Sequence, residues 1–134
     1  MQSGFFNSGP GFHCRGCGYH RFSPVGLSCI PYLRKNPMQF ALVAHDYQDD
    51  GALERRLACR EAHLERTRAL AAQGGFLSGG AIVDASGKMV GSNAHFSFPD
   101  RAAFDAWLEA EPYIVGRVWE TIAISEVRLF NPAA

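Results

Sequence analysis

From residue 38 onward the chain alternates between runs suited to buried strands and runs with a helical period. The order is strand, helix, strand, strand, helix, strand, and few folds accommodate it. "MQFALVAHDY" is apolar and β-prone, and reads as a buried strand over residues 39–45. "DDG" at 49–51 is a turn. A long helix follows over about 53–73, and Gly74 and Gly75 end it, as glycine does past a helix C-terminus. "FLSGGAIVD" is a second strand from Phe76 to about Val83, "ASGK" a hairpin turn and "MVGSNAHFSF" a third strand. Pro99 and Asp100 open a second helix. Its apolar positions Ala103, Phe104, Trp107 and Leu108 fall on one face. "PYIVGRV" is a turn or a short extra helical turn, and Trp119–Phe130 is the last strand, with alternation in "TIAISEV". This order is the split βαβ unit: an α+β, ferredoxin-like βαββαβ fold. Its four-stranded antiparallel sheet carries both helices on one face and leaves the other bare. A body this small buries a marginal core, so a second copy packed sheet to sheet with twofold symmetry is expected.

Residues 1–37 read differently. They are rich in Gly, Ser, Pro and Phe, show no period, and lack the continuous apolar core of a signal peptide. They hold Arg15, Arg21, Arg34 and Lys35 and no acid, so the body carries all 13 acidic residues and is net negative. That is a poor surface for nucleic acid, whose binding rests on phosphate neutralisation. No apolar run approaches the roughly 20 residues of a membrane span. Of the four cysteines, Cys14, Cys17 and Cys29 lie in the leader and Cys59 alone in the body. The body therefore has no internal disulfide, which suits the cytoplasm. "HCRGC" with His20 and Cys29 offers zinc-type ligands, but a single Cys-x-x-Cys followed by one Cys departs from structural zinc spacing. The leader is read as a disordered or misassigned extension, and 38–134 as the domain.

The long helix poses a question through "CREAHLER", residues 59–66. With about 100° per residue, Leu53, Leu57, Leu64 and Ala71 make one stripe, and Arg60 falls inside it. Arg56, Arg60, His63 and Thr67 make a polar seam along one side of it. A guanidinium facing a core is costly unless paired. Asp46 and Glu111 are the candidate partners, and the helix is expected to line a small polar pocket. The opposing reading is that Arg60 snorkels to solvent and His63 is a structural flank residue.

Several motifs then resemble, in order, the YciI-like (YCII-related) family over Met38 to about Phe130. "AHD" carries the family's aspartate at Asp46, and Arg60, His63 and Leu64 match its Arg-x-x-His-Leu signature. Gly79-Gly80 stands at the family's Gly-Pro, Gly91-Ser92 at the start of the third strand, and Pro112, Tyr113 and Gly116 at the Asp-Pro-Tyr segment. The resemblance implies a dimeric α/β barrel and a pocket with a histidine–acid pair. The histidine is His63, and the acid's position is occupied by Glu111 in place of the usual aspartate. Relatives include a dehydrochlorinase acting on a chlorinated hydroxyhydroquinone, and muconolactone isomerases share the broader fold.

The expectation that follows is a small lyase or isomerase needing no metal or cofactor, acting on a small cyclic or aromatic anion. His63 is the general base, with Glu111 or Asp46 as its orienting acid. Arg60 anchors an anionic oxygen, and Arg56, Tyr113 and Ser92 complete the binding set. The rival is a non-catalytic module that binds or senses a small molecule in the same pocket. Cys59 falls away from the stripe and reads as packing rather than a nucleophile. His45 and His95 lie on strands with nothing to bring them together as metal ligands, and Trp107, Phe104, Trp119 and Phe130 read as core or dimer interface.

Overall fold

The computed structural model describes residues 36–133, so the expectations for the leader fall outside the described residues. The elements run β1 (Met38–Asp46), α1 (Ala52–Ala72), β2 (Phe76–Val83), β3 (Met89–Phe98), α2 (Arg101–Glu109), α3 (Pro112–Val115) and β4 (Trp119–Val127). One antiparallel four-stranded sheet results, in the order β2-β3-β1-β4. This is the expected ferredoxin-like fold. The "PYIVGRV" segment makes a short helix, and the last strand stops at Val127, leaving Phe130 in solvent.

The two-residue period of the strands sorts their side chains. Phe40, Leu42 and Ala44 of β1 pair with Phe96, Ala94 and Ser92 of β3 and are buried beneath the helices. Phe104 of α2 stacks on Phe40 with centroids 4.6 Å apart, and Phe96 and Phe98 close around it. Such aromatic pairs add about 0.5–1.5 kcal/mol each beyond their burial. The alternate residues Ala41, Val43 and His45 look the other way, beside Asn93 and His95 of β3 and Ala123 of β4. Val43, near the middle of that face, is 37% exposed.

Local chemistry sets the helix ends. Gly74, at φ 76°, and Gly75 donate to Ala71 and Leu70 and stop α1. Asp100 caps α2 by accepting from the Ala103 N–H at 2.8 Å. Arg66 of α1 donates to the carbonyls of Trp107 and Ala110 at the end of α2, which fixes where the chain turns toward α3. Gly116, after α3, lies so close to Cys59 that a Cβ there would come 2.3 Å from the thiol. The lone body cysteine is thus packing, half-buried against the core.

At the start of α1, Asp49 accepts from Gly51 N–H and takes both terminal nitrogens of Arg55 at 2.7 Å. The Arg55 hydrogen bonds hold this exposed carboxyl down to about 2 from its ordinary 3.8. A depressed folded-state pKa contributes stability above the unfolded value, and that contribution is lost as pH falls through the folded one. Asp49→Asn is therefore expected to remove part of the acid slope between pH 3.8 and about 2. Urea midpoints measured at stepped pH check this; parallel slopes in the two proteins would refute it.

Candidate active site

The face of α1 that meets the sheet is not the leucine stripe. It runs through Ala52, Arg56, Cys59, His63, Thr67 and Leu70, all buried or half-buried. Leu57 is 53% exposed, and Arg60 is exposed as well. All of the polar seam but Arg60 therefore faces inward, about a quarter turn from where the leucines place the inner face. The reason is electrostatic. Arg56 is 2% exposed, and its Nη1 donates to both oxygens of Asp46, at 2.8 and 2.9 Å. Once that pair is buried, the helix cannot turn its leucines inward without stranding two charges.

Asp46 is thus the partner of Arg56, not of Arg60 or His63. Arg56 Nη2 also donates to Ser92 Oγ at 2.9 Å, and the Trp119 indole N–H reaches the same oxygen at 3.1 Å. The other acid, Glu111, is fully buried, and its Oε1 lies 2.6 Å from His63 Nδ1. Glu111 is the N-cap of α3, where the same oxygen accepts from the Tyr113 N–H at 3.3 Å. The glutamate therefore reaches the histidine from the start of α3. An ionised carboxylate can only accept, so it fixes the proton on Nδ1 and leaves the Nε2 lone pair free.

Arg56 and His63 are two helical turns apart, about 10.5 Å along the axis. The Tyr113 ring occupies the space between them, stacked on His63 at 4.1 Å and lying 4.7 Å from the Arg56 guanidinium. Burial pushes the Tyr113 phenol above its ordinary value, with Arg56 and Arg60 opposing. It is therefore a neutral hydroxyl at physiological pH.

Arg56, Arg60, His63, Ser92 and Tyr113 all line one cavity of about 180 Å³ under α1. Asp46 and Glu111 stand behind that wall, each gripping one residue of it. Arg60 sits at the rim with no carboxylate partner among the described residues. Much of the rest is aromatic, from Phe76, Phe96, Trp107 and Trp119. Trp119 was legible in the sequence only as core, because nothing there shows its indole meeting Ser92. Gly79 and Gly80 close the β2 side. A Cβ on Gly79 would come within 2.6 Å of the Asn93 carbonyl, whereas one on Gly80 would meet nothing within 4 Å. His45 and His95 lie apart from this cavity, and among the described residues no group of three His, Cys, Asp or Glu side chains could hold a metal ion. None of the described helices is long and apolar enough to cross a membrane.

Fold and site together define a ferredoxin-like α+β protein with a ring-sized cavity walled by a half-buried histidine that is paired with a buried glutamate. The chain belongs to the YCII-related domain family, whose model matches residues 38–128. It is 32% identical over 93 residues to the protein YciI of Escherichia coli, which covers 65% of this chain and 93% of the relative, and matches YciI of Shigella flexneri equally. Among solved structures it is similar to the 5-chloro-2-hydroxyhydroquinone dehydrochlorinase of Burkholderia phenoliruptrix in complex with 2,5-dihydroxybenzoquinone. That match has a TM-score of 0.60 and 20% identity, covering 68% of this chain and 94% of that one, and it shows a common fold.

Removing one partner of a buried ion pair costs about 3–5 kcal/mol. Asp46→Ala is expected to lose that much in urea unfolding, while Asp46→Leu combined with Arg56→Met should recover most of it. A single-variant loss under about 1 kcal/mol would mean that water already screens the pair.

Proposed function

We propose that this chain is a small lyase or isomerase that moves a proton on a monocyclic, anionic ring without a metal or cofactor. The observation that carries the reading is the 2.6 Å contact between His63 Nδ1 and a fully buried Glu111, at the wall of an aromatic-lined cavity. His63 Nε2 is the general base and takes the proton of a ring hydroxyl. The released electron pair forms a carbonyl, the proton is returned to the ring carbon that bears a leaving group such as chloride, and loss of a second hydroxyl proton to His63 then expels chloride with its bonding pair and leaves a quinone. In an isomerisation the proton returns to another ring atom instead. Glu111 holds the tautomer and stabilises the imidazolium that forms. Arg60, at the rim and without a carboxylate partner among the described residues, faces the anionic oxygen. The shared fold with the dehydrochlorinase makes its chlorinated hydroxyhydroquinone the first compound to offer.

With that compound, chloride release is expected from the wild type. His63→Gln should lower kcat by about 10²–10⁴-fold, the usual worth of a general base, with an unchanged melting temperature. Wild-type protein that binds the ring but releases no chloride would favour a binding or sensing module.

The bare sheet face is proposed to pair with a second copy. Val43→Asp, near the centre of that face, is then expected to sediment as a monomer and the wild type as a dimer. A monomeric wild type defeats the pairing.

A further inference from the structure

Ser92 is an unusual serine. Its oxygen accepts two hydrogen bonds, from Arg56 Nη2 at 2.9 Å and from Trp119 Nε1 at 3.1 Å. Neither partner can reverse its role, because a guanidinium and an indole N–H are donors only. A hydroxyl has two lone pairs and one proton, so both acceptor sites are occupied. The proton itself has no acceptor among the described residues. Ser92 is 6% exposed, and the space it does meet is the cavity it lines.

From this we infer that the Ser92 hydroxyl is a preset hydrogen-bond donor to an acceptor oxygen of the ring bound in the cavity, and selects the ionised over the protonated oxygen. The inference rests on the reading of the cavity as a ligand site and adds the ionisation state of the ligand. An ordinary serine can rotate to accept from a phenol or donate to a phenolate. Here rotation would forfeit a hydrogen bond to a buried cation or a buried indole, so a protonated ring oxygen can only accept from the serine and must send its own proton elsewhere, whereas an ionised oxygen accepts as the stronger, charged partner. The positive Arg56, itself fixed by Asp46, draws electron density from the serine oxygen and strengthens its O–H as a donor. Arg56 and Trp119 are positioning residues in this scheme, acting through Ser92.

The probe is 4-nitrophenol, whose yellow phenolate is spectrally distinct from the phenol, with 4-nitrotoluene as a ring that cannot ionise. Titrating the full chain below and above the probe's own pKa measures the preference for the phenolate. The wild type is expected to bind the phenolate at least about tenfold more tightly than the phenol, the scale of a hydrogen bond to a charged group. Ser92→Ala should cut that preference severalfold, leaving the part that the Arg60 charge supplies, while changing nitrotoluene affinity by less than about twofold. Ser92→Thr, which keeps the hydroxyl, should retain it. Trp119→Phe frees one lone pair and lets the hydroxyl turn, so it should reduce the preference while leaving the serine in place. A merely structural Trp119 would not produce that change. If Ser92→Ala and Trp119→Phe bind both rings with wild-type selectivity, the inference fails and the ligand site stands. If the wild type binds neither ring, the site reading fails and takes the inference with it.

Discussion

Everything in this domain is arranged around one guanidinium out of water. Arg56 leaves solvent at a cost of several kcal/mol, which only well-placed partners offset. It finds them on three elements: Asp46 at the end of β1, Ser92 on β3, and the Tyr113 ring on α3. That single side chain fixes the rotation of α1, the approach of α3 and the hydroxyl orientation on the sheet. His63 follows two turns later on the same helical face. Its position over the cavity is a consequence of where Arg56 must be, as much as of its own pairing with Glu111.

The order of strands and helices was legible because it rests on local rules. Period-two apolar runs made β1 and β3, the glycine pair at 74 and 75 stopped α1, and Asp100 capped α2. The wheel brings Arg56 and His63 forward and the family resemblance adds Glu111, Ser92 and Tyr113; Arg56, His63, Ser92 and Tyr113 line one cavity, with Glu111 bound to His63. What sequence reasoning misplaced was the face of α1. Leu53, Leu57 and Leu64 form the stripe that a wheel selects, yet Leu57 lies in solvent and the arginine–histidine seam faces inward. A wheel ranks side chains by hydropathy one at a time and cannot see that Asp46, ten residues upstream, neutralises Arg56. The 52-56-59-63-67-70 spacing, with small Ala52 and Cys59 along it, was the available signal. For the same reason the wheel gives Arg60 a carboxylate partner that none of the described residues supplies.

Glu111 shows how closely stability and chemistry are joined. One oxygen caps α3 and also holds His63. The N-cap geometry sets where the carboxylate begins, and from there it reaches His63 at 2.6 Å. Arg66, bound to the carbonyls that end α2, carries that geometry back to α1. Histidine and acid are therefore held by two opposing elements tied together at a separate point.

The two glycines of β2 have unequal futures. Position 79, paired with Ala94, is closed to any side chain by the neighbouring strand, whereas position 80, paired with Asn93, points to the bare sheet face and meets nothing within 4 Å. A side chain added at residue 80 therefore extends that bare face beside Asn93 and leaves the cavity and its ion pairs untouched. The surface on which a second copy is proposed to pack can thus be reshaped without rebuilding the wall that carries His63 and Glu111.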